Sequence, residues 1–179
     1  MAEQRPVHPL WFAALFLALA GLSLFIRMLP LGARGWTFPG PDLLLCLTLA
    51  WVVRRPDYLP APVIGAVFFL EDLLLMRPPG LWALMVLLGT EFLRRRTGTL
   101  RGLNFWFEYA TVGGTLLAML LLNRLILAIV MVPQPPFSLS FGQFLGTVLA
   151  YPAVVAVSHF VLRVRKPSTG EVDALGQKL

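Results

Sequence analysis

The sequence predicts an all-α, polytopic membrane protein: a bundle of six transmembrane helices with both termini in the cytoplasm. Three observations lead there. The chain of 179 residues is 58% hydrophobic and only 13% charged, whereas a soluble domain carries about a quarter charged residues. Its apolar residues gather in runs separated by short breaks rich in proline and glycine. The positive charge falls almost entirely in every second break, which is the asymmetry that orients helical membrane proteins. The mean hydropathy of +0.76 agrees with this.

The first run, Leu10–Leu29, follows Arg5. It is longer than the apolar region of a secretory leader and no small-x-small site follows it, so it reads as a transmembrane helix. The next three runs are shorter: Asp42–Val53, Pro62–Met76 and Gly80–Leu93. A bilayer takes about 20 helical residues, and Asp42–Val53 rises only about 18 Å. Either such helices extend into their flanks, the second beginning near Trp36, or they sit inside a bundle, where protein rather than lipid satisfies them. The middle three are therefore expected at the centre and the long ones at the periphery. The last two runs, Phe105–Val132 and Leu139–Leu162, are long enough to span.

Proline marks the breaks at Pro39-Gly40-Pro41, Pro56, Pro60, Pro62 and Pro133, Pro135, Pro136. It is harmless in a first helical turn, where its missing N–H would have no partner. Pro78-Pro79-Gly80 predicts a tight helical hairpin. A re-entrant hairpin over 62–93 would keep the loops on the same sides but place Arg77 at membrane depth, so six full crossings are expected. Residues 1–166 form the transmembrane domain, and 167–179 read as a flexible cytoplasmic tail.

Eleven of the fifteen basic residues fall on one side: Arg5, Arg54, Arg55, Arg94, Arg95, Arg96, Arg101, Arg163, Arg165, Lys166 and Lys178. Arg27, Arg34 and Arg77 fall on the other, and Arg124 lies within a run. The heavier side is the cytoplasm. A pI near 10.4 does not point to nucleic acid, because the cations flank apolar runs and build no basic, aromatic-interleaved face. The one cysteine, Cys46, excludes an internal disulfide and reads as a small buried apolar residue.

Polar groups inside apolar runs are the candidates for chemistry. Glu71 and Asp72 are neighbours, and neighbours on a helix point about 100° apart. They cannot share one partner. They read first as a polar joint between helices and second as an ion or proton site. Asn123 and Arg124 lie deep in the fifth run, and Arg124 is expected to pair with Asp72 or Glu71; the alternative is a later start to the helix, with Arg124 snorkelling. Glu91 pairs with the Arg94-Arg95-Arg96 cluster. Glu108 suits the positive end of a helix dipole in a first turn. His159 reads as an interface residue, since the one other histidine is His8 and metal binding needs more ligands. Gly113-Gly114 and the set Gly142, Gly146, Ala150 read as faces of close helix contact, internal or with a partner. No nucleophile stands beside a base, and no nucleotide-binding or metalloprotease motif occurs. No enzyme activity and no cofactor are expected.

A longer pattern runs from Pro41-Asp42 through Trp51, Arg54-Arg55-Pro56 and Gly65 to Glu71-Asp72 and Gly80-Leu81. It resembles the MreD family of rod shape-determining proteins. That family reads as a Pro-Asp before an apolar helix, an aromatic residue and an Arg-Pro at its end, a glycine-led helix closing on an acid, then a Gly-Leu turn. The likeness covers about a third of the chain, and this chain departs at Leu74–Pro79, where members place small polar residues. The resemblance implies an architecture similar to the S-components of vitamin transporters, and a non-enzymatic scaffold of the cell-wall elongation machinery. It implies direct binding of MreC, a wider complex with RodA, its transpeptidase and MreB, and a Gram-negative inner membrane. Docking would use helix–helix contact and the basic cytoplasmic loops. The alternative is an S-component-like protein that binds or transports a small molecule or lipid.

Overall fold

The shortest of the main helices is the one the others surround. In the computed structural model, which describes residues 9–29, 40–101 and 104–160, six α-helices follow one another. They are α1 (Pro9–Met28), α2 (Leu43–Arg54), α3 (Ala61–Leu74), α4 (Leu81–Arg101), α5 (Phe105–Ile129) and α6 (Phe137–Phe160), with a 3-10 turn at Pro56–Tyr58. No strand occurs among the described residues. Three helices are long and apolar enough to cross a membrane: α1 over Trp11–Met28, α5 and α6.

Helix α2 has twelve residues, ten of them buried, and it packs against α1, α4 and α6. Asp42 starts it, accepting a hydrogen bond from Leu45 N at 2.9 Å. This cap satisfies a donor that the first turn leaves unpaired. Trp51 fills the centre, fully buried between the rings of Phe12 and Phe16 and donating from Nε1 to Ser158 Oγ at 3.2 Å. Cys46 is buried as expected and gives its thiol proton to Thr147 O at 3.2 Å.

The expectation that all three short helices are central holds for α2 alone. Helix α3 turns Phe69, Leu70, Leu73 and Leu74 outward, and Leu84, Leu88 and Phe92 line an exposed face of α4. Both bury one side only. A second correction concerns the fourth break. Helix α4 runs 21 residues and carries the Arg94-Arg95-Arg96 cluster on its last turns, not in a loop. The helical rise makes α4 about 31 Å long.

The hairpin between α3 and α4 forms as expected. Gly80 turns it with φ +85° and Met76 has φ +53°. Asp72 holds the far side of that turn, its Oδ2 accepting from Gly80 N at 3.1 Å and Ala83 N at 3.2 Å. A carboxylate on α3 thus caps α4.

Of the small-residue faces, Gly113-Gly114 makes no close contact within the described chain. A Cβ at Gly113 or Gly114 would meet nothing within 4 Å. The close approach of α4 to α5 lies at Gly89 instead, where a Cβ would stand 2.6 Å from Met119 Sδ and 3.3 Å from Thr115 Cγ2. Gly146 of α6 meets Pro41 at an ordinary 3.8 Å.

Gly80→Val forces a branched side chain into a left-handed turn and is expected to destabilise the fold by about 1–3 kcal/mol. Gly113→Ala meets open space on a helix and is expected to be neutral or stabilising by up to about 1 kcal/mol. Equilibrium unfolding in detergent micelles measures both, and equal effects would contradict the turn geometry.

Candidate functional site

Two ionic joints, one near each end of α2, hold the bundle. At the first, the Arg27 guanidinium in the last turn of α1 reaches inward to two acids. Its Nη2 lies 2.8 Å from Asp42 Oδ1, and its Nη1 donates to Glu71 Oε1. Arg77, in the α3–α4 turn, stands 3.8 Å from the same Glu71 oxygen. Asp42 also donates its backbone N–H to Thr147 Oγ1 of α6 at 2.9 Å. Two guanidinium groups thus face two carboxylates, and the cluster is close to neutral. Glu71 is fully buried and Asp42 nearly so. Charges in such surroundings persist only when paired, because removing one partner leaves an uncompensated charge out of water.

Asp72 points elsewhere, as the angular step from Glu71 requires, and serves the cap of α4 described above. The two acids therefore have separate partners. The expected pairing with Arg124 does not occur. Arg124 Nη1 donates to Ser140 Oγ at 2.9 Å and to Pro135 O at 3.2 Å, and its guanidinium lies 5.4 Å from the Phe137 ring centre. The reason is position along the helix. Helix α5 ends at Ile129, so Arg124 reaches along its flexible stem to the polar α5–α6 turn.

The second joint corrects two further expectations. Glu108 does lie in the first turn of α5, but it is fully buried. Its Oε1 lies 3.3 Å from Arg54 Nη2 and accepts from Tyr151 Oη at 3.0 Å. This ties α2, α5 and α6 together. Arg54, expected in a cytoplasmic docking loop, is the buried last residue of α2. Arg94 is also used internally: its Nη1 and Nη2 donate to Pro56 O at 3.0 Å and Leu59 O at 2.8 Å, pinning the α2–α3 connection.

Among the described residues, Arg95 and Arg96 are exposed and Arg55 is partly so. Arg95 pairs with Glu91 at 3.1 Å in an exposed i,i+4 contact, as expected. Arg96 lies over the Phe92 ring at 4.4 Å and Arg55 over Tyr58 at 5.8 Å. The backbone of α4 reaches Arg101. Arg163, Arg165, Lys166 and the tail 167–179 lie outside the described residues. His159 closes α6 with its ring edge-on to Phe160, 4.8 Å between centres.

Several residues of the longer sequence pattern gather around these joints. Pro41 sits against Gly146 and Asp42 holds Arg27. Pro56 offers its carbonyl to Arg94, and Gly80 is capped by Asp72. At Gly65 an added Cβ would stand 3.3 Å from Leu87 Cδ1, so α3 and α4 approach closely there.

Beside the first joint lies a cavity of about 340 Å³ between the start of α2, the α3–α4 turn, the end of α5 and the start of α6. Asp42, Arg77, Trp82, Asn123, Gln143 and Thr147 supply its polar lining, and Leu116, Leu120 and Phe144 its apolar walls. Glu71, Asp72 and Arg124 are not among its walls. Trp82 Nε1 is buried without a hydrogen-bond partner, and Arg77 lies 5.8 Å from the Trp82 ring centre. Small-molecule sites begin near this volume, about 300 Å³. Among the described residues no group of three or more His, Cys, Asp or Glu could hold a metal ion.

The functional residue that sequence reasoning missed is Arg27. Its face is set by the buried stripe Phe12, Phe16, Ala20, Leu24, which continues at helical spacing to position 27. The whole run is apolar on every side, so no periodicity marks that stripe in the sequence.

Fold and composition together define a helical membrane protein. No family model matches the chain, and it matches no curated protein and no solved structure.

Arg27→Met leaves buried Asp42 without a cation and Glu71 with only the longer contact to Arg77, and is expected to destabilise by about 3–5 kcal/mol. Arg124→Ala removes two bonds at the rim and is expected to lose no more than about 1.5 kcal/mol per bond. Unfolding titrations of the two variants in one detergent settle the order. A larger loss at Arg124 would contradict the joint.

Proposed function

We propose that this chain is a non-enzymatic scaffold of the MreD type, acting in the bacterial cell-wall elongation machinery and in the maintenance of rod shape. One observation supports this best. The acids of the pattern shared with that family are spent inside the chain, Asp42 and Glu71 on Arg27 and Asp72 on the cap of α4. They shape the bundle, as the charges of a scaffold would.

In this reading the chain crosses the inner membrane of a Gram-negative cell six times, with both termini in the cytoplasm. The helices run alternately up and down, so Arg54, Arg94, Arg95 and Arg96 share one end of the bundle and Arg27 and Arg77 the other. The charge bias between the ends then orients the chain. MreC binds directly, by lateral contact with helix faces that expose large apolar side chains, such as Trp11, Phe25, Trp106 and Leu149. RodA with its transpeptidase, and MreB, join through the wider complex. The cytoplasmic docking charges are Arg55, Arg95 and Arg96, together with Arg101, Arg163, Arg165 and Lys166. Arg54 and Arg94 are excluded, because their side chains are engaged inside the fold.

A second reading rests on the 340 Å³ cavity. With Arg77, Asn123, Gln143 and the Trp82 N–H around it, the chain would bind a small polar molecule as an S-component does. One preparation separates the two. Co-expression with the MreC homologue is expected to give a complex that survives extraction in mild detergent. A chain that leaves MreC behind and carries a small molecule displaced by Asn123→Leu would favour the second reading instead.

A further inference from the structure

A second hollow lies on the outer side of the α4–α5 contact. It has a volume of about 440 Å³ and is lined mainly by apolar side chains, among them Met85, Leu88, Phe92 and Ala118. Gly114 lies in its wall, where a Cβ would meet nothing within 4 Å, so the hollow stays open there. Arg96 lies at one end. Its guanidinium sits 4.4 Å over the Phe92 ring, and among the described residues it has no carboxylate partner. Its neighbour Arg95 takes the nearby acid, Glu91.

The dimensions choose the occupant. From Met85 to Arg96 the groove follows eleven residues of α4, about 16 Å of rise. That is half of a hydrocarbon core about 30 Å thick, the depth of one leaflet. A single acyl chain is slender enough. A guanidinium at the mouth of an apolar slot complements a lipid phosphate, as basic pockets between helices do at the cytoplasmic face.

We propose that the α4–α5 groove binds one anionic phospholipid of the cytoplasmic leaflet, its acyl chain along Phe92 and Ala118 and its phosphate on Arg96. The assignment uses the orientation given above but not the identity of any protein partner.

The test is native mass spectrometry of the full chain in detergent with equal amounts of dioleoyl-phosphatidylglycerol and dioleoyl-phosphatidylcholine. The expected result is one retained lipid, with phosphatidylglycerol preferred about fivefold, the factor one interfacial arginine contributes toward anionic lipid. Arg96→Gln should abolish the preference, whereas Arg95→Gln should leave it intact. Gly114→Leu, whose Cβ enters open space in the wall of the hollow, should reduce retention of both lipids. Equal retention of the two lipids by the wild-type chain would overturn the proposal, as would a preference unchanged in Arg96→Gln. Lipid retention unchanged by Gly114→Leu, with loss of a co-purifying protein, would also overturn it and assign the groove to a partner helix.

Discussion

A charge taken out of water must find its opposite, and Arg27 is where this chain meets that requirement. Its guanidinium reaches Asp42 at the head of α2 and Glu71 near the end of α3. Neither acid has another described cation nearer than Arg77, which is 3.8 Å from Glu71. In a medium that screens poorly, such attraction is several-fold stronger than at a wet surface. Desolvation offsets much of it, so the joint specifies which helices meet more than it adds net stability. Three helices and the turn before a fourth converge because one cation has two acids to satisfy.

The same constraint explains why the central helix is short. Helix α2 carries Asp42 at its head and Arg54 at its end, and each is matched by a group from the surrounding helices. Arg27 and Thr147 take the first, and Glu108 takes the second. Neither end has to reach the membrane boundary, because protein supplies the polar partners there. The surrounding α1, α5 and α6 are long enough to meet lipid themselves. They expose apolar side chains outward, the expected surface for helix faces in hydrocarbon.

How much of this was legible in the sequence depended on whether the signal was local. Most helix limits were legible, since proline and glycine act within a turn or two of where they stand; the end of α4 was not, because Arg94-Arg95-Arg96 looks like a loop and is helical. The hairpin at Pro78–Gly80 was legible for the same reason. The separate duties of Glu71 and Asp72 followed from helical geometry alone. Partner choice was not legible. Arg124 looked the deeper cation because its run extends beyond it, yet α5 ends soon afterwards and the side chain escapes to the turn. Arg27 looked like a loop charge because α1 is apolar all round and hides its inward face. Arg54 and Arg94 read as solvent-facing cations, since nothing local announces Glu108 or the carbonyls of Pro56 and Leu59. Gly113-Gly114 had the composition of a contact face, but Gly89 occupies the actual close approach, where α5 crosses α4.

The scaffold reading and the lipid groove both need a bundle of fixed shape, and that shape depends on the Arg27 joint. A double-mutant cycle between Arg27→Met and Glu71→Gln, read by equilibrium unfolding in micelles, tests it most directly. Residues in direct contact couple by about 0.5–3 kcal/mol, whereas independent sites add to within about 0.5 kcal/mol. The account expects coupling toward the upper end of that range, the double variant losing far less than the sum of the single losses. Additive losses would mean that Arg27 and Glu71 do not hold one another, and the joint would no longer explain how the helices assemble.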